Sequence, residues 1–279
     1  MKVLLAGCGD LGTETGLRFA AAGNRVLGLR RDPSPLPARI TGQAVDLTRQ
    51  RPRVPDDTDV VVIVLTADRR NAAGYRSIYV DGTTNVLDAV EAAGIEPRVL
   101  FVSSTAVYGD IDGEVDENTP TEPTSETGEV LLEAEHRLRE RSPEATVLRL
   151  AGIYGPGRTA LIDQVRDGTA RADAVPHNTN RIHRDDAASA IVHLTTAVPD
   201  PAPLYVGVDH EPVDRAQLLR FLADELGAPQ PAVDDSAPDR GPGKWCRGDR
   251  LRGTGFRFTY PTYREGYRAV LAGEGSRHP

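Results

Sequence analysis

Met1-Lys2-Val3-Leu4-Leu5-Ala6-Gly7-Cys8-Gly9-Asp10-Leu11-Gly12 is the stretch that decides the fold. Its apolar run reads as a buried strand, and a Gly-x-Gly-x-x-Gly turn opens a helix directly after it. The first glycine allows the tight turn, the second lets a pyrophosphate approach the backbone, and the third lets helix and strand pack closely. The helix start adds free N–H groups and a positive dipole end. Gly7, Gly9, Asp10, Leu11 and Gly12 are therefore expected to hold a nucleotide.

Outward from this turn, strands are expected at Lys2–Ala6, Arg25–Leu29, Val60–Leu65, Val99–Ser103 and Thr146–Leu150. Helices are expected over Leu11–Ala22, Tyr75–Ala93 and Glu129–Arg141, with Gly23 and Gly94 as stop signals after the first two. This alternation predicts an α/β fold: a Rossmann-type, doubly wound parallel sheet with helices on both faces and ligands at the carboxyl ends of its strands. A helix at Asp185–Ala197 and a strand at Leu204–Val208 extend it. From Asp209 the texture changes: a helix over Arg215–Leu226, a Pro/Asp-rich stretch Ala228–Gly243 read as a surface loop, and an Arg- and aromatic-rich cluster Trp245–Tyr267. The expected division is a dinucleotide-binding domain (1–154 and 179–208) and a small substrate-side C-terminal lobe (155–178 and 209–279).

A net charge of -8 over 279 residues argues against a general nucleic-acid surface. No apolar run approaches the roughly 20 residues of a membrane helix, and the start lacks signal-peptide character. Cys8 and Cys246 suggest neither a disulfide framework nor a metal site, so a reducing cytoplasm and no metal are expected.

The second strand ends Gly28-Leu29-Arg30-Arg31-Asp32. Arginines at this place suit a ribose 2′-phosphate by charge and forked geometry. NADP is thus favoured over NAD, with Asp32 keeping the NAD case open. Asp46 and Leu47 follow the third strand and are suited to cover an adenine. Thr66 and Ser103, at the ends of the next two strands, are placed with the cofactor by the same strand-end rule.

Three further segments carry a resemblance: Tyr79-Val-Asp-Gly82-Thr-Thr-Asn85-Val-Leu87, Phe101-Val-Ser103-Ser104-Thr105-Ala-Val-Tyr108-Gly109, and Arg149-Leu-Ala-Gly-Ile-Tyr154-Gly155-Pro156-Gly157-Arg158. With the glycine turn and Asn180-Arg181-Ile-His183-Arg-Asp185-Asp186, they resemble the extended, epimerase/dehydratase-like branch of the short-chain dehydrogenase/reductase superfamily. The resemblance implies a substrate-bonding hydroxyl at Ser104, an active-site support at Asn85, a chain passing the nicotinamide at Tyr154, a small-molecule substrate, and a homodimer through the fourth and fifth helices.

One departure is decisive. Pro123-Thr-Ser-Glu-Thr127-Gly128-Glu-Val-Leu131 stands where the family carries Tyr-x-x-x-Lys, so Thr127 and Leu131 replace the acid/base pair. The only lysines are Lys2 and Lys244. The pattern resembles atypical members of the superfamily. Ser104 and Tyr108 are the catalytic candidates, with Tyr154, His183 and Glu133 as further acid/base candidates. His183 is more simply read as packing at a helix start, Asp185 and Asp186 as helix caps, and Glu133, Glu135 and His136 as a solvated helix face. Three functions stay open: an NADP-linked oxidoreductase, epimerase or dehydratase; an NAD(P)-binding regulator without turnover; and a non-redox lyase or cyclase.

Overall fold

The computed structural model describes residues 1–234 and 241–279. Seven parallel strands form its central sheet: β1 (Lys2–Ala6), β2 (Arg25–Arg30), β3 (Thr41–Ala44), β4 (Val60–Ile63), β5 (Arg98–Ser104), β6 (Thr146–Leu150) and β7 (Leu204–Gly207). Their order is β7-β6-β5-β4-β1-β2-β3. Val3 lies opposite Val26 on one side and Val60 on the other. The chain reverses its direction of growth beside β1, which opens a crevice at the carboxyl ends of β1 and β4.

Helices cover both faces: α1 (Asp10–Ala21), α2 (residues 72–92), α3 (Glu126–Arg141) and α4 (Arg184–Thr196). Alternate strand residues divide between the two sides, as a side-chain period of two requires. Val3 and Leu5 pack with Phe19 of α1 and Ala187, Ile191 and Leu194 of α4. Leu4 and Ala6 face Val86, Val90, Val130 and Leu138 of α2 and α3. Helix α2 widens into a π-helical stretch over Arg76–Gly82 before its regular turns at Thr83–Ala92. Gly23 and Gly94 follow α1 and α2 with φ of 80° and 66°, a left-handed backbone that glycine adopts without a Cβ clash.

A third apolar cluster gathers Tyr154, Ile162 and Val165 with Leu218, Leu219 and Leu222 of α5 (Arg215–Leu226) and Tyr263 and Tyr267 of α6 (Tyr263–Leu271). Two pairings tie distant segments together: Ala232–Asp234 runs parallel to Arg171–Asp173, and Lys244–Cys246 parallel to Gly113–Val115. The Pro/Asp-rich stretch therefore contains a strand rather than loop alone; its residues 235–240 lie outside the described residues. Among the described residues no helix is long and apolar enough to cross a membrane.

Candidate active site and cofactor cradle

The glycine turn separates what the fold needs from what a ligand needs. A Cβ on Gly7, whose φ is 103°, would overlap the Val64 carbonyl. One on Gly12 would overlap the Gly7 carbonyl. Both glycines are thus required by packing between β1, α1 and the end of β4. A Cβ on Gly9 would meet nothing within 4 Å. Gly9 caps α1 in extended conformation without a side-chain cap, so the space above it and the free N–H groups of the first turn face the crevice. An open seat over a helix start fits a pyrophosphate.

Asp10, at the start of α1, is held from several sides. Its carboxylate accepts from Arg158 Nε at 3.1 Å, Arg184 Nη1 at 2.8 Å and His278 N at 3.1 Å. Arg184 is almost fully buried, and it also pairs with Asp185 at 2.6 Å. These guanidinium groups neutralise Asp10 and Asp185 beside the open space over Gly9. The glycine motif alone did not reveal Arg158 and Arg184 as its charge partners, since they lie 148 and 174 residues from Asp10.

The two candidate phosphate readers part company. Arg30 turns toward the crevice, where its Nη1 donates to the Cys8 carbonyl at 3.0 Å. Arg31 is drawn outward into a two-bond pair with Asp68, at 2.6 and 2.8 Å. Asp32 is exposed, and hydrogen bonds from the Ser34 hydroxyl and then from Ser34 N hold its carboxyl below the usual range. Asp46 is half-buried; its Oδ1 accepts from the Thr48 N–H and hydroxyl, lowering its pKa. Leu47 is buried, and its carbonyl accepts from Asn85 Nδ2 at 2.8 Å. Asn85 thereby ties α2 to the segment after β3. Thr66 is exposed beyond the end of β4.

The proton-transfer side is built differently. Helix α3 begins on a Ser125 cap, whose Oγ accepts from Gly128 N at 3.1 Å. Thr127 is half-buried in that first turn, with its hydroxyl 3.4 Å from Ser125 Oγ. Leu131, one turn on, is 4% exposed and packs with Val107, Tyr108, Ala151, Val206 and Cys246. An apolar contact has taken the place of the lysine. One further turn along, Glu135 is buried. It pairs with Arg149 Nη2 at 2.6 Å and accepts from Ser103 Oγ at 2.6 Å. This corrects the expectation of a solvated face: residues 131, 135 and 138 share one side of the helix, and that side meets β5 and β6. Glu133 does lie outward, paired with Arg76 and Arg137.

Ser103 and Ser104 point to opposite sides of β5, as adjacent strand residues must. The Ser103 hydroxyl is committed to Glu135 and does not face the crevice. Ser104 Oγ accepts from Ala106 N at 3.1 Å, capping the 3-10 turn Thr105–Tyr108, and keeps its own proton to donate. Tyr108 is fully buried under Arg149, whose Cζ stands 4.8 Å from the ring centroid. Its hydroxyl donates to the Asp116 carbonyl at 2.8 Å, and burial raises its pKa. Tyr154 is buried at the joint with α6, stacked on Tyr267 at 4.5 Å, with its pKa pushed up by burial.

His183 accepts from Asp185 N through Nδ1 at 3.2 Å and so caps α4. The proton of the neutral ring then sits on Nε2, which is buried without a partner. Burial drives its pKa down to about 4, so it is neutral at pH 7. The cap is therefore the imidazole rather than Asp185 or Asp186. Asp186 instead accepts from Thr259 N and Tyr260 N at 2.7 and 2.9 Å, anchoring the C-terminal segment. Asp209, also buried, has its pKa pushed up to about 8 by burial, with Arg181 opposing.

Residues 3–205 match the NAD dependent epimerase/dehydratase family. Protein YeeZ of Escherichia coli K12 is 32% identical over 272 residues, spanning 93% of this chain and 96% of that protein. A putative NAD-dependent epimerase/dehydratase structure from Methylobacillus flagellatus is 37% identical over 98% of both chains, with a TM-score of 0.80. The Thermus thermophilus UDP-glucose 4-epimerase in complex with NAD shares the fold at a TM-score of 0.78 with 19% identity. The glycine cradle, the sheet order and these matches together establish that the chain belongs to the NAD-dependent epimerase/dehydratase family.

Proposed function

We propose that this protein is an NADP(H)-linked oxidoreductase, epimerase or dehydratase-like enzyme acting on a small polar molecule, without the Tyr/Lys pair. The observation that carries this reading is the open seat above Gly9, flanked by two glycines that the packing requires. Arg30, rather than Arg31, is the reader of a 2′-phosphate, because Arg30 reaches the glycine turn at the Cys8 carbonyl while Arg31 is drawn outward to the Asp68 carboxylate. When bound, the dinucleotide supplies hydride transfer. The chain's part is to hold its pyrophosphate over Gly9 and the first turn of α1, and to orient a substrate oxygen with the Ser104 hydroxyl.

Tyr108 and Tyr154 serve as walls in this reading. Both hydroxyls are buried, and burial raises both pKa values away from neutrality. Residues 155–178 and 209–279 form the substrate-side lobe over the dinucleotide domain. The protein works in the cytoplasm, as a homodimer through α2 and α3. The test is calorimetry with NADPH and NADH on the wild type and Arg30→Ala. The variant is expected to lose about 10-fold or more in NADPH affinity, as for a charge-assisted contact, with little change for NADH. Equal weakening of both, or no NADPH preference in the wild type, would overturn the assignment.

A further inference from the structure

Residues 275–279 run across the mouth of the crevice and touch it at successive points. Gly275 packs against Pro156. The Ser276 carbonyl accepts from Arg184 Nη1 at 3.0 Å, and Arg277 Nη1 donates to the Gly157 carbonyl at 3.1 Å. His278 donates its N–H to Asp10 Oδ1 at 3.1 Å, and its Nε2 lies 2.9 Å from Glu14 Oε2. The Pro279 main-chain oxygen accepts from Arg30 Nη1 at 3.1 Å.

These stations follow the length of a dinucleotide in the proposed site. Gly157 lies past the nicotinamide end, Asp10 beside the pyrophosphate seat, and Arg30 at the adenosine ribose. The tail does not crowd Gly9 itself, since nothing stands within 4 Å of a Cβ built there. At its start, Gly275, and just before it, Gly273, adopt φ of 77° and 76°, and Gly273 has open space around it. Two left-handed glycines beside an exposed segment provide a hinge.

We propose that residues 275–279 are part of the cofactor site: a strap that lies over the bound dinucleotide and slows its release, with His278 as the clasp on Asp10 and Glu14. The strap rests on the proposed reading of the crevice as a dinucleotide site. A clasp that joins a main-chain N–H and an imidazole to two carboxylates is strong enough to change a release rate about tenfold. Gly275, Ser276, Arg277 and Pro279 are exposed and only His278 is half-buried, so a segment held at one clasp can open and let cofactor enter.

The test is stopped-flow release of NADPH from the full chain, from His278→Ala and from a variant ending at Gly275, with equilibrium titrations alongside. Release is expected to quicken about tenfold in the shortened variant and about threefold in His278→Ala, which loses the imidazole contact with Glu14 but keeps the main-chain N–H on Asp10, with association unchanged or faster in both. Unchanged release, or tighter binding after the deletion, would overturn the strap; the latter would make the segment a plug. Deletion also strips the Ser276 carbonyl from buried Arg184, so a fall in Tm confined to it leaves His278→Ala to decide. Failure of Gly9→Val to bind NADPH, with normal release from His278→Ala, would retain the dinucleotide site and remove the strap. Absence of any NADPH binding to the full chain would remove both.

Discussion

The start of α1 and the start of α3 are both helix N-termini at the carboxyl end of one sheet, yet they have been treated in opposite ways. At α1 the turn keeps two glycines demanded by packing and a third, Gly9, that packing does not demand. At α3 the cap is intact, but a half-buried threonine and a buried leucine stand where acid/base chemistry would be. In the proposed reading, cofactor retention and proton transfer are therefore separable properties of this fold. One depends on backbone geometry beside β1, the other on a few side chains over β5.

Restoring the missing charge is the harshest way to break this contrast. Leu131 sits among Val107, Tyr108, Ala151 and Cys246, and the carboxylate one turn along, Glu135, is already paired with Arg149. Leu131→Lys should destabilise the protein by about 3 kcal/mol, read as a lower midpoint in urea unfolding. A variant as stable as the wild type would mean that position 131 opens to the crevice, and that the lysine was lost for another reason.

Kinetics give the next effect. Ser104 still has a hydroxyl proton to offer, whereas the Thr127 hydroxyl has no acid/base range near neutrality. Once a substrate is in hand, Ser104→Ala should lower kcat ~100-fold, and Thr127→Ala should change it little. The reverse ranking would give Thr127 an active part and undo the distinction between the two helix starts.

The smallest effect is in the pH dependence of stability, and it concerns two buried groups, His183 and Asp209. His183, lowered to about 4 from an ordinary 6.5, binds its proton less readily when folded. Its contribution is present above pH 6.5 and is lost as pH falls toward 4. Asp209, raised to about 8 from 3.8, has the opposite sign: its contribution is present below 3.8 and is lost as pH rises through 8. The two oppose each other between about 4 and 6.5, leaving Asp209 alone to lower stability from 6.5 to 8. Asp209→Asn should flatten Tm across that upper window, followed by thermal melts at several pH values. An unchanged slope would place the titration elsewhere.

Much of this was legible in the chain. The strand-turn-helix at residues 2–21 and the alternation after it have local causes: apolar runs, glycine stops and a cap. Arg30 was legible as a candidate, but its separation from Arg31 was not, because Asp68 draws Arg31 away only in three dimensions. Glu135 was misplaced for a similar reason. An acidic run on a helix reads as solvated unless the partner, here Arg149, is known to come from a neighbouring strand. The pairing of Ala232–Asp234 with Arg171–Asp173, and the path of residues 275–279 over Asp10, join segments too distant for any local pattern to reveal.

The central claim is that the cradle at α1 is kept for a ligand while the start of α3 no longer serves proton transfer. Calorimetric titration of NADPH into Gly9→Val and Thr127→Ala, beside the wild type and with Tm recorded for each, tests it most directly. Gly9→Val should keep its Tm, because its side chain enters open space, and should lose NADPH binding because that space is the pyrophosphate seat. Thr127→Ala should bind as the wild type does. A folded Gly9→Val protein with undiminished NADPH affinity would contradict the account.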